Sequence, residues 1–213
     1  IVNTVKRAQM LREELRQAYP DAVVLMDHSR FLAPDRLEHE QEILRRVGKN
    51  TDAQMRRGVL VIGTQVLEQS LDLDFDLLIT DLCPMDLLLQ RIGRLHRHTR
   101  IRPHGLEVPR CLVMGALGEL DAGSKAVYGE YLLLRTRRLL PEHIRLPEDI
   151  SPLVQRTYDA EHFPPEISED VSAIYDKYQN EQKHQKSKAE VYLLASPDDD
   201  DDASLVGMMD NID

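Results

Sequence analysis

The chain has 213 residues, 42% of them hydrophobic and 30% charged, with a formal net charge of −10. That length holds one well-cored domain plus a tail or a small second unit, and no apolar run approaches the roughly 20 residues that cross a bilayer, which excludes a helical membrane protein. The only two cysteines, Cys83 and Cys111, lie in apolar segments without metal-ligand spacing, a usage that fits buried thiols in the reducing cytoplasm better than a disulfide.

Residue 1 is Ile within IVNTV, with neither an initiator Met nor a signal-peptide pattern, so the chain is expected to be a piece of a longer protein opening inside a strand. Residues 1–5 read as that strand. Residues 6–19 place Ala8, Leu11, Leu15 and Ala18 at helical spacing ahead of Pro20, and a strand follows at 22–26. A second helix is expected over 35–47, carrying Leu37, Ile43, Leu44 and Val47 up to Gly48. Further strands are expected at Val59–Gly63, 77–80 and Cys111–Met114. Between the last two, Pro84 and Met85 precede a helix over LLLQRIGRL, with Asp86 as its expected N-cap. These strand runs are too continuously apolar for half-exposed antiparallel strands. Alternating with helices, they predict an α/β fold, an open and mostly parallel sheet with helices on both faces.

The second half is plainer. Residues 127–140, containing YLLLRTRRLL, read as one helix, and Pro141, Pro147 and Pro152 mark loops after it. Residues 171–190 alternate charge along a solvated helix with Lys183, Lys186 and Lys188 on a basic face. SPDDDDDASLVGMMDNID is an acidic, low-complexity terminus whose aspartates lack the interleaved spacing and glycine of a calcium loop.

Charge separates the halves. Residues 1–104 carry 16 Lys and Arg against 15 Asp and Glu, and residues 105–213 carry 11 against 22, so an anionic partner is expected at the first half. The positive charge concentrates in LLLQRIGRLHRH, residues 87–98. Ligands of open parallel sheets sit at the carboxyl ends of the strands. The loops after 59–63 and 77–80 are therefore expected on one edge, bringing Thr64, Gln65, Asp72, Arg94 and Arg97 to one surface. Arginine forks suit phosphate oxygens and the charge that develops in phosphoryl transfer, and Asp72 would suit a ribose hydroxyl.

VIGTQVLEQSLDLDFDLLITD followed by LLLQRIGRLHRH resembles motifs V and VI of superfamily 2 helicases. The wording TQVLEQSLDLDFD and QRIGRLHRH resembles the helicase-nuclease of type I CRISPR systems, and NTVKRAQ and HSRF resemble that family's motif IV region. The match covers about residues 1–115 strongly and the rest loosely. The resemblance implies the second of two RecA-like motor domains over residues 1–118, a helical extension or linker over 119–195 and an acidic tail over 196–213. It implies that Arg94 and Arg97 act as arginine fingers on the γ-phosphate of ATP, that Gln90 opens the same motif, and that Asp72 faces the ribose. Thr64 and Gln65 match positions that touch the nucleic-acid backbone, and Thr4 and Ser29 are further candidates for phosphate contacts. Such contacts do not read bases, as a motor moving over any sequence requires.

The sequence contains no GxxxxGK[ST] loop, no DExH-type acidic motif and no candidate HD nuclease residues. The ATP and Mg²⁺ site is therefore expected to be shared with an upstream motor domain, and the nuclease metal ions to belong to a separate domain of the parent. The chain alone is expected to be inactive. The implied partners are those upstream domains, single-stranded DNA and an RNA-guided CRISPR surveillance complex, with no membrane. Plainer readings stand beside these. The arginines could be a solvated basic face. His96 and His98 fit a surface pair better than metal ligands. Asp74 and Asp76 fit a turn leading into a strand better than a catalytic dyad, and Thr4 and Ser29 could be capping or turn residues. The alternatives at the level of function are another superfamily 2 DNA or RNA helicase and a non-enzymatic interaction module.

Overall fold

Strand β1 (Val23–Asp27) runs parallel to β2 (Val59–Gly63), and β3 (Leu78–Asp81) runs parallel to β4 (Cys111–Met114). Residues 1–3 lie between the two pairs. The Val2 amide donates to the Gly63 carbonyl at 2.9 Å, the Asp81 amide donates to the Ile1 carbonyl at 2.9 Å, and the Ile1 nitrogen donates to the Ile79 carbonyl at 2.6 Å. Those bonds on both flanks make the order β1, β2, residues 1–3, β3, β4, all pointing one way. The expected open parallel sheet is thus borne out in this computed structural model, which describes residues 1–68, 71–159 and 169–190.

Helices cover both faces of the β1–β2 half, while Ile79 of β3 and Leu112 and Met114 of β4 stay exposed on one face of the other half. On β1, Val24 and Met26 pack with Ala8, Leu11 and Leu15 of α1 (Val5–Ala18), while Leu25 packs with Ile43, Leu44 and Val47 of α2 (Ala33–Val47). Successive strand residues point to opposite faces, so α1 and α2 sandwich that half of the sheet. Ile43 is fully buried, a burial that contributes about 1.5–3 kcal/mol. The short helix α3 (Ala53–Arg56) leads into β2, and the 3₁₀ turn Gln65–Glu68 leaves it. Helix α4 (Met85–Ile92) buries Met85, Leu88 and Leu89 against Leu153 of α7 (Ile150–Tyr158), with α5 (Ala122–Tyr128) and α6 (Glu130–Leu139) alongside.

Four local expectations change. Residues 4 and 5 leave the sheet, because Thr4 caps α1: its hydroxyl accepts from the Arg7 amide at 3.3 Å. The cap position of α4 is Pro84; Asp86 sits in the first turn, where the helix dipole favours a carboxylate, and accepts a 2.6 Å hydrogen bond from the Tyr158 hydroxyl. The single helix expected over 127–140 is two helices, broken where Gly129 turns to φ 76°, a conformation that favours glycine. Pro152 lies inside α7 rather than in a loop. It occupies the first turn, where no backbone N–H is needed.

The chain divides into two compact units, Ile1–Pro165 and Glu166–Asp213. In the second, α8 (Glu169–Glu190) is the described element, with Lys183, Lys186 and Lys188 exposed; residues 196–213 lie outside the described residues. Cys83 and Cys111 are free thiols, and burial pushes them up to about 12 and about 11. Among the described residues, no helix is long and apolar enough to cross a membrane.

Candidate nucleotide and nucleic-acid interface

The parallel strands deliver four of the expected residues to their carboxyl-terminal edge. Thr4 follows residues 1–3, Ser29 follows β1 by two positions, and Thr64 and Gln65 follow β2 directly. Ser29 is exposed and Thr4 half-buried. Thr64 is buried, 1% exposed, its amide donating to the Asp27 carbonyl at 3.3 Å and its carbonyl starting the 3₁₀ turn. A Cβ on Gly63 would stand 2.3 Å from Leu67 Cδ1, so glycine there lets the turn fold back onto its own strand. Gln65 is turned inward. Its Nε2 donates to the Asn3 carbonyl at 3.3 Å and to the Tyr128 hydroxyl at 2.8 Å.

Asp72, Arg94 and Arg97 lie elsewhere. Leu73 bridges Gly48 and the Asp74 amide donates to the Val47 carbonyl at 2.9 Å. Phe75 exchanges backbone hydrogen bonds with Arg94 and His96 at 2.8 and 2.9 Å. Val47 and Gly48 end α2 ahead of β2, and Phe75 stands just ahead of β3, so this group gathers toward the amino-terminal ends of the strands. The expectation of one shared edge is corrected: α4 begins at the carboxyl edge and carries its arginines back across the sheet. The residues form two groups at two ends.

In the second group Arg94 is half-buried. Its Nη2 donates to the Glu68 carbonyl at 2.9 Å, while its Nε is buried without a partner. Burial lowers its pKa from the ordinary guanidinium value, and the charge of Arg97 lowers it further. A cation so desolvated and under-bonded fits an incoming anion. Arg97 is exposed and tethered by Asp72, with Nε to Oδ1 at 2.7 Å; His98 Nε2 meets the same oxygen at 2.9 Å. Desolvation pushes the Asp72 carboxyl up, but His98 and Arg97 outweigh it and hold it below the usual range. Gln90 is exposed on α4. His96 adopts φ 49° and reaches the Asp76 carbonyl at 3.1 Å, so the two histidines face different partners. Among the described residues, no group of three or more His, Cys, Asp or Glu could hold a metal.

Asp74 and Asp76 form an ion cluster. Arg102 reaches Asp74 at 3.0 Å and Asp76 at 2.8 Å, and Arg56 reaches Asp76 at 3.1 Å. Burial raises the Asp76 pKa, yet the Arg102 hydrogen bond and the Arg56 charge prevail and lower it.

Arg91 was passed over by motif reasoning and is the most heavily bonded side chain of the region. It is fully buried. Its Nε donates to Glu68 Oε1 at 2.7 Å, Nη1 to the Thr80 hydroxyl at 2.7 Å and the Asp81 carbonyl at 3.2 Å, and Nη2 to Asn3 Oδ1 and the Tyr128 hydroxyl, each at 3.1 Å. Burial pushes Glu68 above its ordinary pKa against the opposing charge of Arg91. Helical spacing gave only a weak signal, because residue 91 flanks the face of Met85, Leu88 and Leu89 one turn beyond Leu88, and a buried arginine there needs partners.

The model for the C-terminal region of the CRISPR-associated nuclease/helicase Cas3 matches residues 1–100. A CRISPR-associated nuclease/helicase Cas3 of Streptococcus thermophilus is 45% identical over 203 residues, 92% of this chain and 22% of its own length. The chain belongs to the Cas3 family. A Cas3 endonuclease/helicase of Thermus thermophilus is 41% identical over 70% of the chain and 18% of its own length, so this chain spans about a fifth of these relatives. Among solved structures, T. fusca Cas3 with ADP superimposes at a TM-score of 0.80 with 33% identity, covering 93% of this chain and 23% of that one. A chain of a CRISPR RNA-guided surveillance complex, captured before nicking, matches at 0.75 and 34% identity, covering 93% of this chain and 25% of that one.

Proposed function

We propose that this chain is the second motor domain, residues 1–118, of an ATP-dependent translocase that draws single-stranded DNA toward a metal-dependent nuclease domain in CRISPR interference. Residues 119–195 then serve as a helical extension and 196–213 as a tail. The observation that carries the reading is the separation of the two groups. Arg94, with its unpartnered buried Nε, stands beside the tethered Arg97 at one end of the sheet, while the hydroxyl and amide residues stand at the other. Arg94 and Arg97 stabilise the charge that develops on the γ-phosphate as water attacks it. Asp72 holds Arg97 in place and offers its second oxygen to the ribose, with Gln90 exposed nearby on the preceding helix. Mg²⁺ and the phosphate cradle come from the upstream motor domain of the same polypeptide, so this chain alone does not turn over ATP.

Thr4, Ser29, Thr64 and Gln65 follow the strand ends as a track for strand phosphates. Thr64 and Gln65 act there once the edge opens around a bound strand, since both are turned inward without one. A surveillance complex guided by RNA recruits the parent in the cytoplasm. The T. fusca Cas3 structures with ADP, AMPPNP and ATP support the nucleotide part of this reading.

In the parent, Arg94→Ala or Arg97→Ala should lower ATP turnover by about 10³-fold or more, with nucleotide-free DNA affinity kept. Arg94→Lys should not restore turnover, because an ammonium lacks the guanidinium fork. Near-normal turnover with lost DNA affinity and a shallower salt dependence would make LLLQRIGRLHRH a DNA-backbone patch instead.

A further inference from the structure

The two ends of the domain are joined by one hydrogen-bonded path, buried at Arg91 and Glu68 and half-buried at Gln65, Tyr128 and Arg94. Gln65 Nε2 donates to the Tyr128 hydroxyl at 2.8 Å, and the same hydroxyl accepts from Arg91 Nη2 at 3.1 Å. Gln65 also donates to the Asn3 carbonyl, while Asn3 Oδ1 accepts from Arg91. From Arg91 the path continues to the Glu68 carboxylate, and the Glu68 carbonyl holds Arg94. A phenol oxygen has two lone pairs, and both are taken by these donors. A Gln65 amide that swings out to a phosphate oxygen therefore withdraws one donor from Tyr128 and one from Asn3. Arg91 is left with two loosened partners at Nη2, the same nitrogen that approaches Glu68 Oε1 to 2.6 Å. Because no part of Arg91 reaches water, its guanidinium must re-seat among protein groups, and the residue it re-seats against carries Arg94.

We infer that Arg91, with Glu68 and Tyr128, is a positioning residue that makes the setting of Arg94 depend on what occupies the Gln65 end of the sheet. The inference rests on the proposal that Gln65 faces DNA and Arg94 faces ATP. It adds a route between the two sites, carried by a side chain that touches neither ligand.

The test measures, in the full-length parent, the factor by which single-stranded DNA changes the affinity for AMPPNP. Tyr128→Phe deletes the shared hydroxyl and keeps the ring. It should move that factor five-fold or more toward one, within the range of coupling between sites, while AMPPNP alone and DNA alone bind within two-fold of the unaltered protein. Arg91→Lys keeps a charge beside Glu68 but cannot reach Asn3 and Tyr128 together, and should lose the coupling likewise. A simple structural brace would lower the melting temperature and leave the factor intact in the folded protein, and that result overturns the inference. So does a fall in coupling that comes with lost affinity for AMPPNP alone. Arg94→Ala is the separate control. If it fails to change the preference for AMPPNP over ADP, the finger assignment itself is wrong; if it does and Tyr128→Phe keeps full coupling, only the route through Arg91 is wrong.

Discussion

Glu68→Gln conserves size and shape and removes one charge, so it isolates what the buried ion pair contributes. Glu68 and Arg91 side chains are 1% and 0% exposed and approach to 2.6 Å, so screening by water offers no discount. The substitution strands a guanidinium in the interior. An amide oxygen can still accept from Arg91, but the NH₂ group that replaces the other carboxylate oxygen must find an acceptor, and the remaining partners of Arg91 are neutral. Removing one member of a buried pair costs about 3–5 kcal/mol. For a unit of this size each kcal/mol lowers the melting temperature by roughly 2–4 °C, so the expected fall is about 6–20 °C. Glu42→Gln is the control, because Glu42 also bonds two arginines, Arg45 and Arg46, at 2.7 and 2.9 Å, but with 32% of its side chain exposed; exposed pairs contribute little. Thermal and urea unfolding of the chain followed by circular dichroism give both values. If the two substitutions cost the same, bond length rather than burial governs these pairs, and burial adds nothing to the Arg91–Glu68 pair.

The acid limb of stability should report Asp76, whose folded pKa is depressed despite burial because Arg102 and Arg56 hold its anion. A depressed carboxylate contributes stability above its unfolded value of about 3.9 that is lost as pH falls through the lower folded value. Asp76→Asn should therefore flatten the stability profile below about pH 4, and an unchanged acid limb would refute the pairing. Thr64→Ala in the parent should weaken DNA binding or its coupling to turnover more than nucleotide binding; equal loss of both in titrations would place Thr64 in the core alone. Gly129→Ala forces φ 76° and ψ 149° on a residue with a Cβ and should cost about 1–3 kcal/mol by urea unfolding; no loss would mean that the α5–α6 joint adapts freely.

The fold was legible because parallel strands read as continuously apolar runs, and Val59–Gly63 and Cys111–Met114 coincide with the runs that predicted them, although Leu112 and Met114 of the second are exposed. The breaks were harder to see. Residues 127–140 read as one helical run, and the positive φ at Gly129, a property of the backbone just ahead of YLLLRTRRLL, separates α5 from α6. Pro152 misled because a proline signals a loop and a first helical turn equally well. Thr4 shows the same ambiguity in a residue type: its hydroxyl caps a helix as readily as it meets a phosphate.

The site was legible as a set of residues and not as an arrangement, for a topological reason. Chain order places Thr64 and Arg94 after successive strands, which suggests neighbouring loops on one edge. The eight residues of α4, at about 1.5 Å each, carry the chain roughly 12 Å back across the sheet before Gly93 releases it. The residues after β2 likewise run from the Thr64 edge to the Leu73–Gly48 bridge at the opposite end. Two such returns, lying side by side and tied together by Arg91 and Glu68, turn one expected surface into two surfaces with a shared interior. Motif reading favours residues that meet ligands and passes over an arginine beside an apolar face. The cost of burying a guanidinium requires that such an arginine have partners around it, and here those partners reach toward both ends of the sheet.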